Sequence, residues 1–177
     1  MITDIQQPIV IIAEEGRSAE VVTRLARVGY DNALGYLEGG VEAWKAAGKE
    51  TDHIEAITAD ELAKKVAAGL DGEIMDVRKP TEFLSQHVIG AINFPLDYIN
   101  KNMNKLQRNE KLYLHCAGGY RSLIAASILK ARGIHNLVDV ENGWKAIAES
   151  TLPKTEHVCP TTMPQDLIDK AVEAVAH

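Results

Sequence analysis

The segment from Lys111 to Gly133 constrains the fold more than any other part of the chain. Lys111-Leu112-Tyr113-Leu114 is an apolar, strand-like run. His115-Cys116-Ala117-Gly118-Gly119-Tyr120-Arg121-Ser122 follows as a glycine-containing loop, which leads straight into a helix that runs to about Arg132 and is ended by Gly133. The same alternation surrounds it. Thr58-Ala59-Asp60-Glu61 is a capping box opening a helix to about Ala68, closed by Gly69. Glu73-Ile74-Met75-Asp76-Val77 is a short strand broken by Arg78-Lys79-Pro80, and Thr81 to about Ser85 makes a short helix. Ala91-Ile92-Asn93-Phe94 is another strand, stopped by Pro95. Asp97 to Leu106 is an amphipathic helix with Tyr98, Ile99, Met103 and Leu106 on one face. Asn136-Leu137-Val138-Asp139-Val140 adds a strand, and Gly143-Trp144 opens a last short helix. Strands separated by helices at these distances predict an α/β fold, with a parallel sheet of about five strands covered on both faces. Ligands of such sheets bind beyond the carboxyl ends of the strands, where Cys116 falls.

The first fifty residues repeat part of this pattern. Ile9-Val10-Ile11-Ile12 is a strand, and a loop through Arg17-Ser18 leads to a helix ending near Val28. A shift of 104 residues superposes Arg17-Ser18 on Arg121-Ser122, Leu25 on Leu129, Gly29 on Gly133 and Asn32 on Asn136; after a one-residue gap, Gly39-Gly40 meets Asn142-Gly143. Residues 1–50 thus read as a degenerate half-copy, with Ile12 where the cysteine would be and Glu14 and Glu15 making the loop less welcoming to anions. Half a domain cannot close its own core, so its apolar face must pack on the complete copy, pair with another chain or belong to a longer parent. Residues 55–150 form the complete domain. Residues 151–177 form a proline-punctuated linker and a helix from Gln165 to Val175, expected to dock on that domain.

Charge and cysteine usage narrow the chemistry. A net charge of −6 without a Lys/Arg cluster argues against nucleic acid, and no apolar run reaches the length of a membrane span. The start, Met1-Ile2-Thr3-Asp4, has neither the basic end nor the apolar core of a signal peptide, so the expected location is the cytoplasm. Cys116 and Cys159 make a poor disulfide framework, and the six histidines lie scattered, so no dedicated metal site and no cofactor are expected.

That leaves the loop. A nucleophilic cysteine needs a lowered pKa, access to solvent and a pocket for its substrate's charge. Gly118 and Gly119 let backbone amides turn inward as an anion-binding nest around the Cys116 sulfur. Arg121 adds a permanent positive charge, and Ser122 can cap the helix or donate a hydrogen bond to the thiolate. No histidine base is required.

With these residues in view, the chain resembles the rhodanese (thiosulfate:cyanide sulfurtransferase) superfamily. The resemblance rests on Met75-Asp76-Val77-Arg78 with Glu82-Phe83, on His87-Val88-Ile89-Gly90-Ala91-Ile92-Asn93-Phe94-Pro95-Leu96, and on the loop from Cys116 to Ser122. Asn142-Gly143-Trp144 resembles the closing Gly-Gly motif with one glycine replaced. These motifs cover about residues 55–150. The half-copy and the segment around Cys159 resemble, less specifically, the rhodanese tail of metallo-β-lactamase-fold/rhodanese fusion proteins, whose metallo-hydrolase portion is absent from this sequence.

The resemblance implies sulfur transfer in two steps, from a small anionic donor such as thiosulfate to Cys116 and then to cyanide or a thiol. The amides of Ala117 to Ser122 would hold the persulfide charge and Arg121 would orient the donor, while Asp76, Arg78 and Glu82 brace the fold. A rhodanese-fold cysteine phosphatase is the enzymatic rival, but its loop has five residues between cysteine and arginine. Here there are four: Ala117, Gly118, Gly119 and Tyr120. A non-catalytic binding module is the other rival, and such modules usually lose the cysteine. His115 is expected to be a structural histidine, Tyr120 a residue of the loop rim, Trp44 and Trp144 core residues, and Cys159 an unpaired structural cysteine. The half-copy leaves a homodimer open.

Overall fold

The computed structural model describes residues 4–106 and 109–176, so the first three residues of the amino-terminal stretch and His177 lie outside it. The chain divides into two compact units at residues 53 and 54. The first contains β1 (Ile9–Ile11), α1 (Ser18–Ala26), β2 (Ala33–Tyr36) and α2 (Gly40–Ala46), with β1 and β2 paired in parallel. Val10, Ile12, Leu34 and Tyr36 are exposed. Trp44, expected in a core, is also exposed: its ring N–H donates to the Glu50 carbonyl at 2.9 Å, so the indole covers the end of its own helix.

In the second unit the elements are β3 (Glu55–Ile57), α3 (Ala59–Ala67), β4 (Gly72–Asp76), α4 (Pro80–Ser85), β5 (Ile92–Asn93), α5 (Ile99–Asn102), β6 (Lys111–His115), α6 (Tyr120–Lys130), β7 (Leu137–Val140), α7 (Gly143–Glu149) and α8 (Gln165–Ala176). The five strands form one parallel sheet in the order β3-β7-β6-β4-β5. β3 went unread because its three residues at the sheet edge carry no alternation long enough to register. The capping box forms as expected. The Thr58 hydroxyl accepts from the Glu61 N–H at 3.2 Å and the Glu61 carboxylate from the Thr58 N–H at 2.8 Å, which satisfies two otherwise unpaired donors at the helix start.

Both faces of the sheet are covered. Leu62 of α3 and Ile147 of α7 pack with Ile74, Tyr113 and Val138 on one side; Ala125, Ala126 and Leu129 of α6 and Ile99 of α5 pack with Met75, Leu112 and Leu114 on the other. The small side chains of Ala125 and Ala126 bring α6 close to the strands. The helix expected from Asp97 to Leu106 is broken into a 3-10 turn (Leu96–Tyr98), the four residues of α5 and a second 3-10 turn (Met103–Lys105). Asn100, Asn102 and Asn104 explain this, because asparagine amides compete with the helical backbone. The Asn102 amide donates to the Tyr98 carbonyl at 3.3 Å and also to that of Val175, tying α5 to α8. The terminal helix therefore docks on this unit.

The two units share more than sequence. At the offsets read above, α1 falls within α6, β2 on β7, and α2 over the full length of α7. The backbone agrees as well: φ is +71° and +59° at Gly39 and Gly40, against +59° and +51° at Asn142 and Gly143.

Candidate active site

Three strand ends in register build the site. Asp76 closes β4 opposite His115 on β6, and the chain beyond β7 turns at Asn142-Gly143. Cys116 follows β6 directly. The loop then turns at Gly119, whose φ of +96° lies in the left-handed region that glycine reaches without strain, and α6 begins at Tyr120. Gly119, not Ser122, is the cap of α6. Ser122 lies in the helix's first turn, where its hydroxyl is 3.7 Å from the Cys116 sulfur and 3.0 Å from the Gly119 carbonyl.

The sulfur is cradled by donors. The Gly119 N–H reaches it at 3.2 Å. Burial pushes the Cys116 thiol up, but hydrogen bonds from the Ser122 and Gly118 N–H groups, the Ser122 hydroxyl and the Gly119 N–H outweigh it and hold the net value below the ordinary thiol range. Cys116 is only 1% exposed, less than a nucleophile was expected to be. The loop wraps tightly enough to bring its amides onto the sulfur, and that wrapping is what covers it. Tyr120, 78% exposed, stands at the rim.

Arg121 is fixed by an ion pair. Its guanidinium donates twice to Glu82, at 2.6 and 2.8 Å, and Glu82 also accepts from the Lys79 N–H at 3.1 Å. The ion pair pulls the Glu82 carboxyl below its usual range and ties the loop to the start of α4.

Asp76 and Arg78 lie beneath the loop, both buried. Arg78 Nε donates to the two Asp76 oxygens at 2.9 Å, and Nη2 donates to Oδ2 at 2.5 Å and to the Gln86 carbonyl at 2.8 Å. The guanidinium covers the Trp144 ring at 4.2 Å, so Trp144 packs on this cluster as well as on the core. His115 is fully buried, and burial lowers its pKa and keeps it neutral. Its Nδ1 faces the Cys116 carbonyl at 3.4 Å rather than the sulfur.

The amino end of α7 holds the loop from the far side. Trp144 N–H donates to the Cys116 carbonyl at 2.6 Å and Lys145 N–H to that of Ala117 at 3.1 Å. A Cβ on Gly143 would meet the Cys116 carbonyl oxygen at 2.2 Å, where φ is already +51°. Gly143→Ala should therefore displace the loop and cost at least ~2 kcal/mol in stability, whereas Asn142→Gly should be tolerated. Urea denaturation midpoints of the two variants check this.

Cys159 is exposed. Its sulfur lies 3.1 Å from the Thr161 hydroxyl, and the hydrogen bonds of Thr161 lower its pKa. Among the described residues no group of three or more His, Cys, Asp or Glu side chains is gathered to hold a metal ion, and no helix is long and apolar enough to cross a membrane.

The sequence pattern of the rhodanese-like domain matches residues 58–150. The Bacillus subtilis protein YrkF is 30% identical over 92 residues, covering 52% of this chain and 50% of that protein. The chloroplastic thiosulfate sulfurtransferase 16 of Arabidopsis thaliana is 30% identical over 93 residues, covering 45% of this chain and 76% of that protein. Among solved structures, a rhodanese-related protein of Thermoplasma volcanium superposes with a TM-score of 0.52 at 30% identity, covering 57% of this chain and 97% of that one. The chain spans about half the length of several curated relatives it matches. A family pattern that takes in more than half of the residues, on a five-stranded parallel sheet with a cysteine loop at its carboxyl edge, identifies the chain as a member of the rhodanese-like domain family.

Proposed function

We propose that residues 55–150 are a sulfurtransferase that carries sulfane sulfur on Cys116. The thiolate attacks the outer sulfur of a donor such as thiosulfate. A new S–S bond forms, the donor's S–S bond breaks, and sulfite leaves with the electron pair. A cyanide or thiol acceptor then attacks the outer sulfur of the persulfide, and Cys116 leaves as the thiolate. The observation that supports this reading best is the cradle itself. The N–H groups of Gly118, Gly119 and Ser122 converge on the Cys116 sulfur, in a loop with four residues between cysteine and arginine. A persulfide anion would meet the same donors one atom further out. Arg121, paired to Glu82, would fix the shape of this cradle and add its charge at longer range.

Intact-mass spectrometry after thiosulfate treatment tests the proposal. One added sulfur atom is expected, removed by cyanide with release of thiocyanate. The pH midpoint of loading should fall below that of a free thiol, because the cradle stabilises the thiolate. An unchanged mass with phosphate-ester hydrolysis would establish the phosphatase instead, and neither activity would leave a binding module.

A further inference from the structure

Behind the cradle lies a buried acid that the sulfur-transfer scheme does not use. Asp139 is on β7, 5% exposed, and its Oδ1 has no hydrogen-bond partner among the described residues. Leu137, two residues earlier on the same face, packs in the core beside Cys116 and α6, which places the Asp139 carboxyl towards the first turn of that helix. That turn carries the buried Ser122, whose hydroxyl holds the Asp139 carboxyl down against the effect of its burial. Ser122 is fully buried and has one proton to share: the Gly119 carbonyl lies 3.0 Å from its oxygen and the Cys116 sulfur 3.7 Å, with the Asp139 carboxyl on the strand behind them.

We propose that Asp139 is a positioning residue for Cys116, and that its carboxyl, acting through Ser122, decides whether the Ser122 hydroxyl donates to the sulfur. An ionised carboxylate can only accept, so it draws the hydroxyl proton away from Cys116. A protonated carboxyl donates to the Ser122 oxygen and frees that proton for the thiolate. Deprotonating the thiol while protonating the carboxylate leaves the charge of the pocket unchanged, and the two groups share one proton. Burial favours the protonated acid and Glu141 adds to it, against the Ser122 hydrogen bond. The register neighbours of Asp139, Leu114 on β6 and Ala56 on β3, carry no charge.

This inference deepens the sulfurtransferase reading and rests on it, but its test does not need sulfur transfer. Thiolate formation at Cys116 is followed by ultraviolet absorbance against pH in the full chain carrying Cys159→Ala. Asp139→Asn, whose amide always has a proton to donate, should lower the thiol midpoint by about one pH unit, a tenfold change in the ionisation constant. Ser122→Ala should raise the midpoint and abolish the effect of Asp139→Asn. Reciprocally, Cys116→Ala should lower the pH at which the Asp139 carboxyl titrates, read by carbon-13 NMR, which requires no change at Asp139. A midpoint that does not move in Asp139→Asn overturns the proposal. So does a shift that persists without Ser122, or an Asp139 titration indifferent to Cys116. Each of these results leaves the sulfur-loading test standing or falling by itself.

Discussion

Cys116→Ser should take sulfur loading to background, a loss of at least about 10³-fold in rate, while the protein stays folded. The cradle works by stabilising an anion on the residue after β6. For a thiol, starting near the upper single digits of pH, a few N–H donors suffice to place the thiolate within the working range. For a serine hydroxyl the same donors leave the oxygen protonated, and oxygen forms no persulfide. Stability should change little, within about 1 kcal/mol, because the donors that faced the sulfur can face the hydroxyl oxygen. Intact mass after thiosulfate, thiocyanate release in cyanide and a thermal melt read the three parts separately. Sulfur loading that survived in Cys116→Ser would move the chemistry to Cys159, the other free cysteine, and would overturn the assignment.

Asp76→Ala should be the most damaging substitution outside the loop. Arg78 is 4% exposed and its guanidinium is matched by a carboxylate that is fully buried. Removing the carboxylate leaves a buried charge without its counter-ion, a change that costs about 3–5 kcal/mol. For a unit of this size that lowers the melting temperature by roughly 10 °C or more. The double variant Asp76→Leu/Arg78→Met should be less destabilised than Asp76→Ala, since most of the penalty comes from the orphaned charge rather than from the lost pair. Equal losses in the two would show that Asp76 acts through the Arg78 backbone N–H, which its Oδ1 accepts at 3.0 Å, rather than through the guanidinium. Activity should fall with stability, because Arg78 supports Trp144 and the Trp144 N–H holds the Cys116 carbonyl.

The parts legible from the chain alone are those that short-range chemistry dictates. The capping box at Thr58, the break at Pro80, the glycine turn before α6 and the strand through Leu112 and Leu114 are decided by neighbours within a few residues. The turn glycines of the first unit were legible for the same reason, and Gly29, Gly39 and Gly40 all take a positive φ. The helix over Asp97–Leu106 misled because periodicity ignores the three asparagines that break it. Trp44 misled because hydrophobicity says that a ring prefers burial but not whether its unit has an interior to offer.

By itself, the sequence determined the alternation of four of the five sheet strands with helices, the cysteine, the loop length and the family to which these point. Tertiary structure alone decided what surrounds the sulfur. Arg121 meets Glu82 across 39 residues of chain, and the Asp139 strand lies behind the cysteine loop only because β7 pairs with β6. Only a glycine fits at Gly143, because the start of α7 packs against the Cys116 backbone carbonyl from another part of the chain. The division is physical. Backbone preference and turn chemistry act between neighbours in the chain, whereas burial, ion pairing and the acidity of a thiol are set by what packing brings together.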